Sequence, residues 1–99
     1  MSMREKTIET KFVKAAKAKG YLPLKLASPG FDGLPDRLVM MQGGKVAFVE
    51  LKAPGKKPRA LQIQRHKMLR ELGFKVFVLD VTENINEVLC KIGGEDNEV

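Results

Sequence analysis

The stretch FVELKAPGKK, Phe48 to Lys57, runs from a strand into a charged loop. Phe48, Val49 and Leu51 are strong strand formers. Glu50 and Lys52 stand among them, two residues apart. Strand side chains alternate faces, so this acid and this base point the same way. On a solvent-facing strand the pair is an ordinary exposed stripe, because charges mostly lie at the surface. The neighbouring sequence decides between that reading and a site.

Upstream, DRLVMMQ (Asp36 to Gln42) and KVAFVELK (Lys45 to Lys52) are β-rich runs on either side of Gly43-Gly44, which predicts a hairpin. A strict two-residue turn would set Asp36 against Leu51 and aim Asp36 and Glu50 at opposite faces. A shared site therefore needs a three-residue turn or a bulge, with Asp36 opposite Lys52 and diagonal to Glu50. Downstream, APGKKP is a polar loop. Pro58 suits a first helical position, and Leu61, Met68, Leu69 and Leu72 carry a helix to Gly73. KVFVLDV is a nearly continuous apolar run, expected to be a strand buried on both faces. Asn84 and Glu87 have capping-box spacing ahead of Ile85, Val88, Leu89 and Ile92, a helical set ending at Gly93.

At the other end, Ile8, Phe12, Ala15 and Ala16 recur at helical spacing, predicting a helix from about Arg4 to Lys19 stopped by Gly20. YLPLKLA sets Leu22, Leu24 and Leu26 against Tyr21, Pro23 and Lys25, the pattern of a half-buried strand, with Pro23 marking a sheet edge. SPGFDGLP is turn chemistry throughout. The order α-β-β-β-α-β-α gives an α/β fold, a mixed central sheet flanked by helices. The step from the VELK strand through a helix to KVFVLDV is a crossover between parallel strands.

The chain has 99 residues, 43% of them hydrophobic and 30% charged, which fits one globular domain over residues 1–93 and argues against disorder. Residues 94–99, GEDNEV, are expected to fray. The formal charge of +6 favours a polyanionic partner. The lone cysteine, Cys90, excludes an internal disulfide and points to a reducing, cytoplasmic compartment. No run approaches a membrane span, and MSMREKTIETK lacks the apolar core of a signal segment.

Three acids fall together within this frame. Asp36 opens one hairpin strand, Glu50 lies on the other, and Glu9 sits at the edge of the apolar face of the first helix. An oxygen-rich cluster of this kind suits a hard cation such as Mg2+. Lys52 could then orient a water or balance charge on a phosphate. A nucleic-acid backbone would satisfy the basic surface.

GLPD at Gly33 to Asp36, followed after thirteen residues by ELK at Glu50 to Lys52, resembles the P-D…(D/E)-x-K pattern of restriction-endonuclease-like nucleases. More specifically, SPGFDGLPDRLV, FVELKAPGKKPRALQ and Gly73 resemble the VRR-NUC family of virus-type replication-repair nucleases, over about Glu5 to Asp80. The resemblance implies a restriction-endonuclease-like α-β-β-β-α-β core and a Mg2+- or Mn2+-dependent DNA endonuclease, often phage-encoded as a stand-alone domain. It also implies kinship with Holliday-junction resolvases, which are homodimers, a role in phage replication or repair, and action in a bacterial or phage-infected cell. It matches Asp36 and Glu50 to metal ligands, Lys52 to the catalytic lysine, Glu9 to the acid of the first helix and Gln62 to the glutamine opening the helix after the active strand. Glu5, one turn before Glu9, is the alternative acid. The carbonyl of Leu51 is a further candidate metal ligand, and Gln62 is assigned to positioning water or phosphate.

Each residue also has a plainer reading: Asp36 as a loop cap, Glu9 as a solvated helix acid, Gln62 as a first-turn residue. His66, four residues after Gln62, is expected to be a partly exposed structural histidine. Lys25, Lys56, Lys57, Arg59 and Arg65, near a helix N-terminus, are candidates for tracking a phosphate backbone. With few aromatics, backbone contacts should dominate over base stacking. The competing functions are a non-catalytic basic nucleic-acid-binding module, in which the acids need not converge on a metal, and a subunit of a larger repair or replication assembly.

Overall fold

The computed structural model describes residues 3–94. Helix α1 spans Met3–Ala18, and strand β1 is Leu22–Lys25. Strand β2, Arg37–Met41, turns through Gln42–Gly44 into β3, Lys45–Leu51. Helix α2, Ala60–Glu71, leads to β4, Lys75–Leu79, and a 3-10 turn at Thr82–Asn84 opens α3, Ile85–Ile92. The four strands lie in the order β1-β2-β3-β4. The first two pairings are antiparallel and β3–β4 is parallel, so the sheet is mixed. This is the expected α/β architecture. The frayed tail expected at 94–99 lies outside the described residues apart from Gly94. No helix among the described residues is long and apolar enough to cross a membrane.

Alternation along the strands divides the sheet into two faces. Val39, Ala47, Val49, Leu51 and Leu79 meet Ile8, Phe12 and Ala16 of α1 and Ile85, Val88, Leu89 and Ile92 of α3 in one core. The helical spacings read for α1 and α3 are therefore core spacings. Burying each large member contributes about 1.5–3 kcal/mol, and removing the Phe12 ring would cost about 3–5 kcal/mol. The opposite face is covered by α2, whose buried residues are Gln62, His66 and Leu69.

Four expectations about the elements need correction. In β1 it is Pro23 that is buried, while Leu22 and Leu24 are 51% and 41% exposed. Pro23 pairs with Val39 on the α1 side, whereas Leu22 and Leu24 pair with Met40 and Leu38 on the face where α2 packs toward β4. Strand β4 is an edge strand, so Val78 is exposed rather than buried. Helix α2 begins after Arg59, not at Pro58. The Asn84 capping box does not form: Asn84 already belongs to a 3-10 turn and makes no side-chain cap, and Glu87 pairs with Lys91 at 3.1 Å.

The hairpin has the expected three-residue turn, Gln42–Gly44, with Gly43 and Gly44 at φ +81° and +76°. The added residue, Gln42, comes from the β2 side. Met41 pairs with Lys45 and Arg37 with Val49. One step further sets Asp36 level with Glu50, not with Lys52. The two carboxylates thus share a face more directly than the predicted diagonal.

Candidate active site

Glu50 occupies the face of β3 that looks toward α2, and it is 1% exposed. Gln62 and His66 are one helical turn apart on α2, so both reach it. The Gln62 side-chain Nε2 donates to Glu50 Oε2 at 2.8 Å. Its Oε1 accepts from the Arg59 backbone N–H, also at 2.8 Å. One side chain therefore caps α2 and fixes Glu50. Lys52 follows the end of β3, held by its N–H to the Leu79 carbonyl, and places Nζ 3.7 Å from Glu50 Oε2. His66 Nε2 lies 3.7 Å from Glu50 Oε1, and neither atom has a hydrogen-bond partner among the described residues. Asp36 closes the other side: its Oδ2 accepts the Leu51 N–H at 2.8 Å.

Burial pushes Glu50 up to about 8, the charge of Asp36 adds to the rise, and Lys52 opposes it. Burial also lowers His66, assisted by Arg70 and Lys52, so its imidazole is neutral near pH 7. His66 is thus buried against Glu50 rather than partly exposed. The result is a crowded pair of carboxylates with one oxygen unsatisfied, next to a single ammonium. A divalent cation would relieve both the crowding and the orphan oxygen, so the donor set of Asp36 and Glu50 fits an oxygen-seeking metal.

Glu9 lies elsewhere. It belongs to the α1 face of the sheet, where Arg37 points, since Arg37 pairs with Val49. Arg37 Nη2 and Nε donate to the same Glu9 oxygen, Oε2, at 2.8 and 3.2 Å, while Arg37 Nη1 donates to the Pro23 carbonyl. Among the described residues no group of three acids, histidines or cysteines is arranged to hold a metal. Glu5 is half-buried one turn earlier on α1.

No family model matches the chain. It is 42% identical over 87 residues to "Putative nuclease p44" of Acyrthosiphon pisum secondary endosymbiont phage 1, an alignment covering 88% of this chain and 92% of that protein. A solved structure described as a VRR_NUC domain superimposes with a TM-score of 0.83 at 29% identity, covering 89% of this chain and 96% of the other. The chain belongs to the VRR-NUC family.

This VRR-NUC chain brings Asp36, Glu50, Lys52, Gln62 and His66 together and sets Glu9 apart with Arg37. Leu51 is fully buried at the end of β3, between Glu50 and Lys52 in the chain, and its N–H is the one that donates to Asp36. Lys25, Lys56, Lys57 and Arg59 are exposed. Arg65 is half-buried: its Nε donates to the Asp32 carbonyl at 2.8 Å, and its guanidinium lies 4.0 Å from the Phe31 ring centre. Arg37 was not foreseen, because its partner is distant in sequence. His66 could have been read from its spacing to Gln62 and Leu69, which marks one buried helix face.

Proposed function

We propose that this VRR-NUC chain is a Mg2+- or Mn2+-dependent nuclease that hydrolyses phosphodiester bonds of DNA. The observation that carries the reading is Glu50: buried, raised to about 8, with an orphan oxygen, beside Asp36 and within 3.7 Å of Lys52. An acid perturbed by burial and by a neighbouring acid, with a specific charge partner beside it, is a candidate functional group. Asp36 and Glu50 would hold the cation, with the Leu51 carbonyl as a third oxygen and water completing the shell. Bound there, the metal would polarise the phosphodiester and make water a better nucleophile. Lys52 orients the attacking water and balances charge as it develops on the phosphate. Gln62 holds Glu50 with one of its two amide N–H groups, and the second is left to position water or phosphate. Glu9, tied to Arg37, anchors α1 to β2 beside Asp36.

The substrate assignment rests on the family and on the charge of +6. Exposed Lys25, Lys56, Lys57 and Arg59 would follow the phosphate backbone. Branched DNA with two-fold symmetry calls for two such sites related by a two-fold axis, which a homodimer supplies. The apolar stripe of Leu22, Leu24 and Met40, the last 42% exposed, offers a face for a second copy. Incubating plasmid and branched DNA with Mg2+ or Mn2+, against EDTA and a Glu50→Gln control, tests the activity. Cleavage should require the metal and Glu50; none with either metal overturns the reading. Light scattering at micromolar concentration should give twice the chain mass, and Leu24→Asp should halve it.

A further inference from the structure

The loop from Leu26 to Asp36 is built to hold one aromatic ring in the open. Its base is closed by the Leu26 N–H donating to the Asp36 carbonyl at 2.9 Å, which extends the β1–β2 ladder by one rung. Its tip turns at Ser28-Pro29-Gly30-Phe31, where the Phe31 N–H donates to the Ser28 carbonyl at 3.1 Å. Pro at the second turn position and Gly at the third suit a type II turn. Beyond the tip, the Asp32 carbonyl accepts from Arg65 Nε at 2.8 Å. Gly33, at φ +90°, presses onto α2 so closely that a Cβ there would sit 2.9 Å from Leu61 Cγ and 3.2 Å from the Leu61 carbonyl oxygen. The loop is therefore clamped to α2 directly after Phe31, while the turn before it is closed within the loop itself.

The ring itself is not used as a core anchor. Phe31 is 39% exposed and packs on the Arg65 guanidinium, 4.0 Å from its centre. A ring that only fastened a loop would be turned inward, where burial would stabilise the fold. Here one side of the ring is close to a cation and a large part of its area remains in water. Arg65 precedes His66 and lies one turn beyond Gln62, on the helix that faces Glu50. The loop carrying Phe31 ends in Asp36. The exposed ring is thus tied at both supports to the residues of the carboxylate centre.

We propose that Phe31, backed by Arg65, is a stacking platform for an unpaired nucleobase, so that the site takes DNA with an unstacked nucleotide next to the cleaved bond. A base inside regular duplex has both faces covered by its neighbours and cannot reach a protein ring. A base at a flap, nick, junction or single strand can, and aromatic stacking is tolerant of sequence because every base has a π face. The charge of Arg65 strengthens the contact and favours the adjoining phosphate. The proposal rests on the nuclease reading only for its place next to the cleaved bond; base stacking itself needs no metal and no chemistry.

The test is binding in EDTA of a short single strand carrying one 2-aminopurine, whose fluorescence is quenched when it stacks. The wild-type chain should quench it. Phe31→Leu, which keeps apolar bulk and removes the ring, should abolish the quench and weaken binding by on the order of tenfold to a hundredfold. Phe31→Tyr should restore both. Affinity for a blunt duplex should change less than twofold in either variant. No quench with wild type, or equal quench and affinity with Phe31→Leu, overturns the platform. Quenching by a chain that cleaves nothing with Mg2+ or Mn2+ would uphold the platform and remove the nuclease reading. Cleavage without quenching would do the reverse.

Discussion

Glu9 and Glu50 are two buried glutamates on opposite faces of one sheet, and the fold treats them differently. Glu9 meets a guanidinium whose two N–H groups converge on one of its oxygens. Its charge is matched by a guanidinium within hydrogen-bond distance. Glu50 meets an amide, an ammonium beyond hydrogen-bond distance and a neutral imidazole, and keeps one oxygen without a partner. A fold that needed only stability would not leave a buried carboxylate in that state, because an unsatisfied buried polar group costs about 1–3 kcal/mol. Burial of an acid thus says little about its role. Whether its partners complete it says more.

The largest expected effect is on chemistry. Lys52→Ala should reduce cleavage by on the order of 10²–10³ while DNA affinity changes little. Glu50→Gln should abolish cleavage and also remove Mn2+ binding, measured by calorimetry without DNA. Metal-dependent cleavage that survives Lys52→Ala would reduce the ELK stretch to a charged strand.

Glu9→Gln should do the opposite of Glu50→Gln. It should leave Mn2+ affinity within a few-fold and lower stability by about 1–3 kcal/mol in urea unfolding, because Arg37 loses its charged partner. A folded Glu9→Gln chain that no longer binds Mn2+ would erase the contrast and make Glu9 a ligand.

Acidity separates the two regions further. The folded chain holds a proton on Glu50 that the unfolded chain releases near 4.5, so stability falls as pH rises toward about 8. His66 acts in the other sense: its lowered value adds stability that is present above about 6.5 and lost as pH falls. Between pH 6.5 and 8 only the Glu50 effect changes. The metal-free melting temperature should therefore drop across that window, and Glu50→Gln should flatten the drop. Mn2+ affinity should climb over the same window as the proton leaves. A flat melting profile in the wild type would mean that Glu50 is ionised without metal.

The smallest effect belongs to the exposed lysines. Lys56→Ala and Lys57→Ala should each lower the salt dependence of duplex binding by about 0.9 in the log–log slope. Turnover at saturating DNA should persist. An unchanged slope would make these lysines ordinary solvated charges.

Much of this was legible in the sequence, and what was not has a common cause. The helices α1 and α3 could be read because Ile8, Phe12 and Ala16, and Ile85, Val88, Leu89 and Ile92, repeat within single elements. The need for a three-residue turn or a bulge in the hairpin followed from Asp36 and Glu50 alone. The direction of the register shift did not, because either strand could supply the extra residue. Leu22 and Leu24 were misjudged because alternation reports that a strand has two faces, not which face a distant helix will cover. The position of β4 at an edge was hidden for the same reason. Arg37 and Glu9 are separated by 28 positions, and no local pattern joins them. Gln62 and His66 were half legible: the spacing showed one helix face, but not that it looks onto Glu50.

Gln62 joins a helix start to a carboxylate through a single amide group. In the absence of DNA the Arg59 N–H is therefore a natural spectroscopic reporter for the centre, although its own hydrogen bond goes to Gln62 and not to the acid. Any event that turns Glu50, whether proton loss, cation entry or a nearby phosphate, pulls on the amide that accepts this proton. Its chemical shift and its exchange with solvent should move with occupancy of the centre. An NMR titration following Arg59 would thus read the state of a buried acid from the rim of a helix.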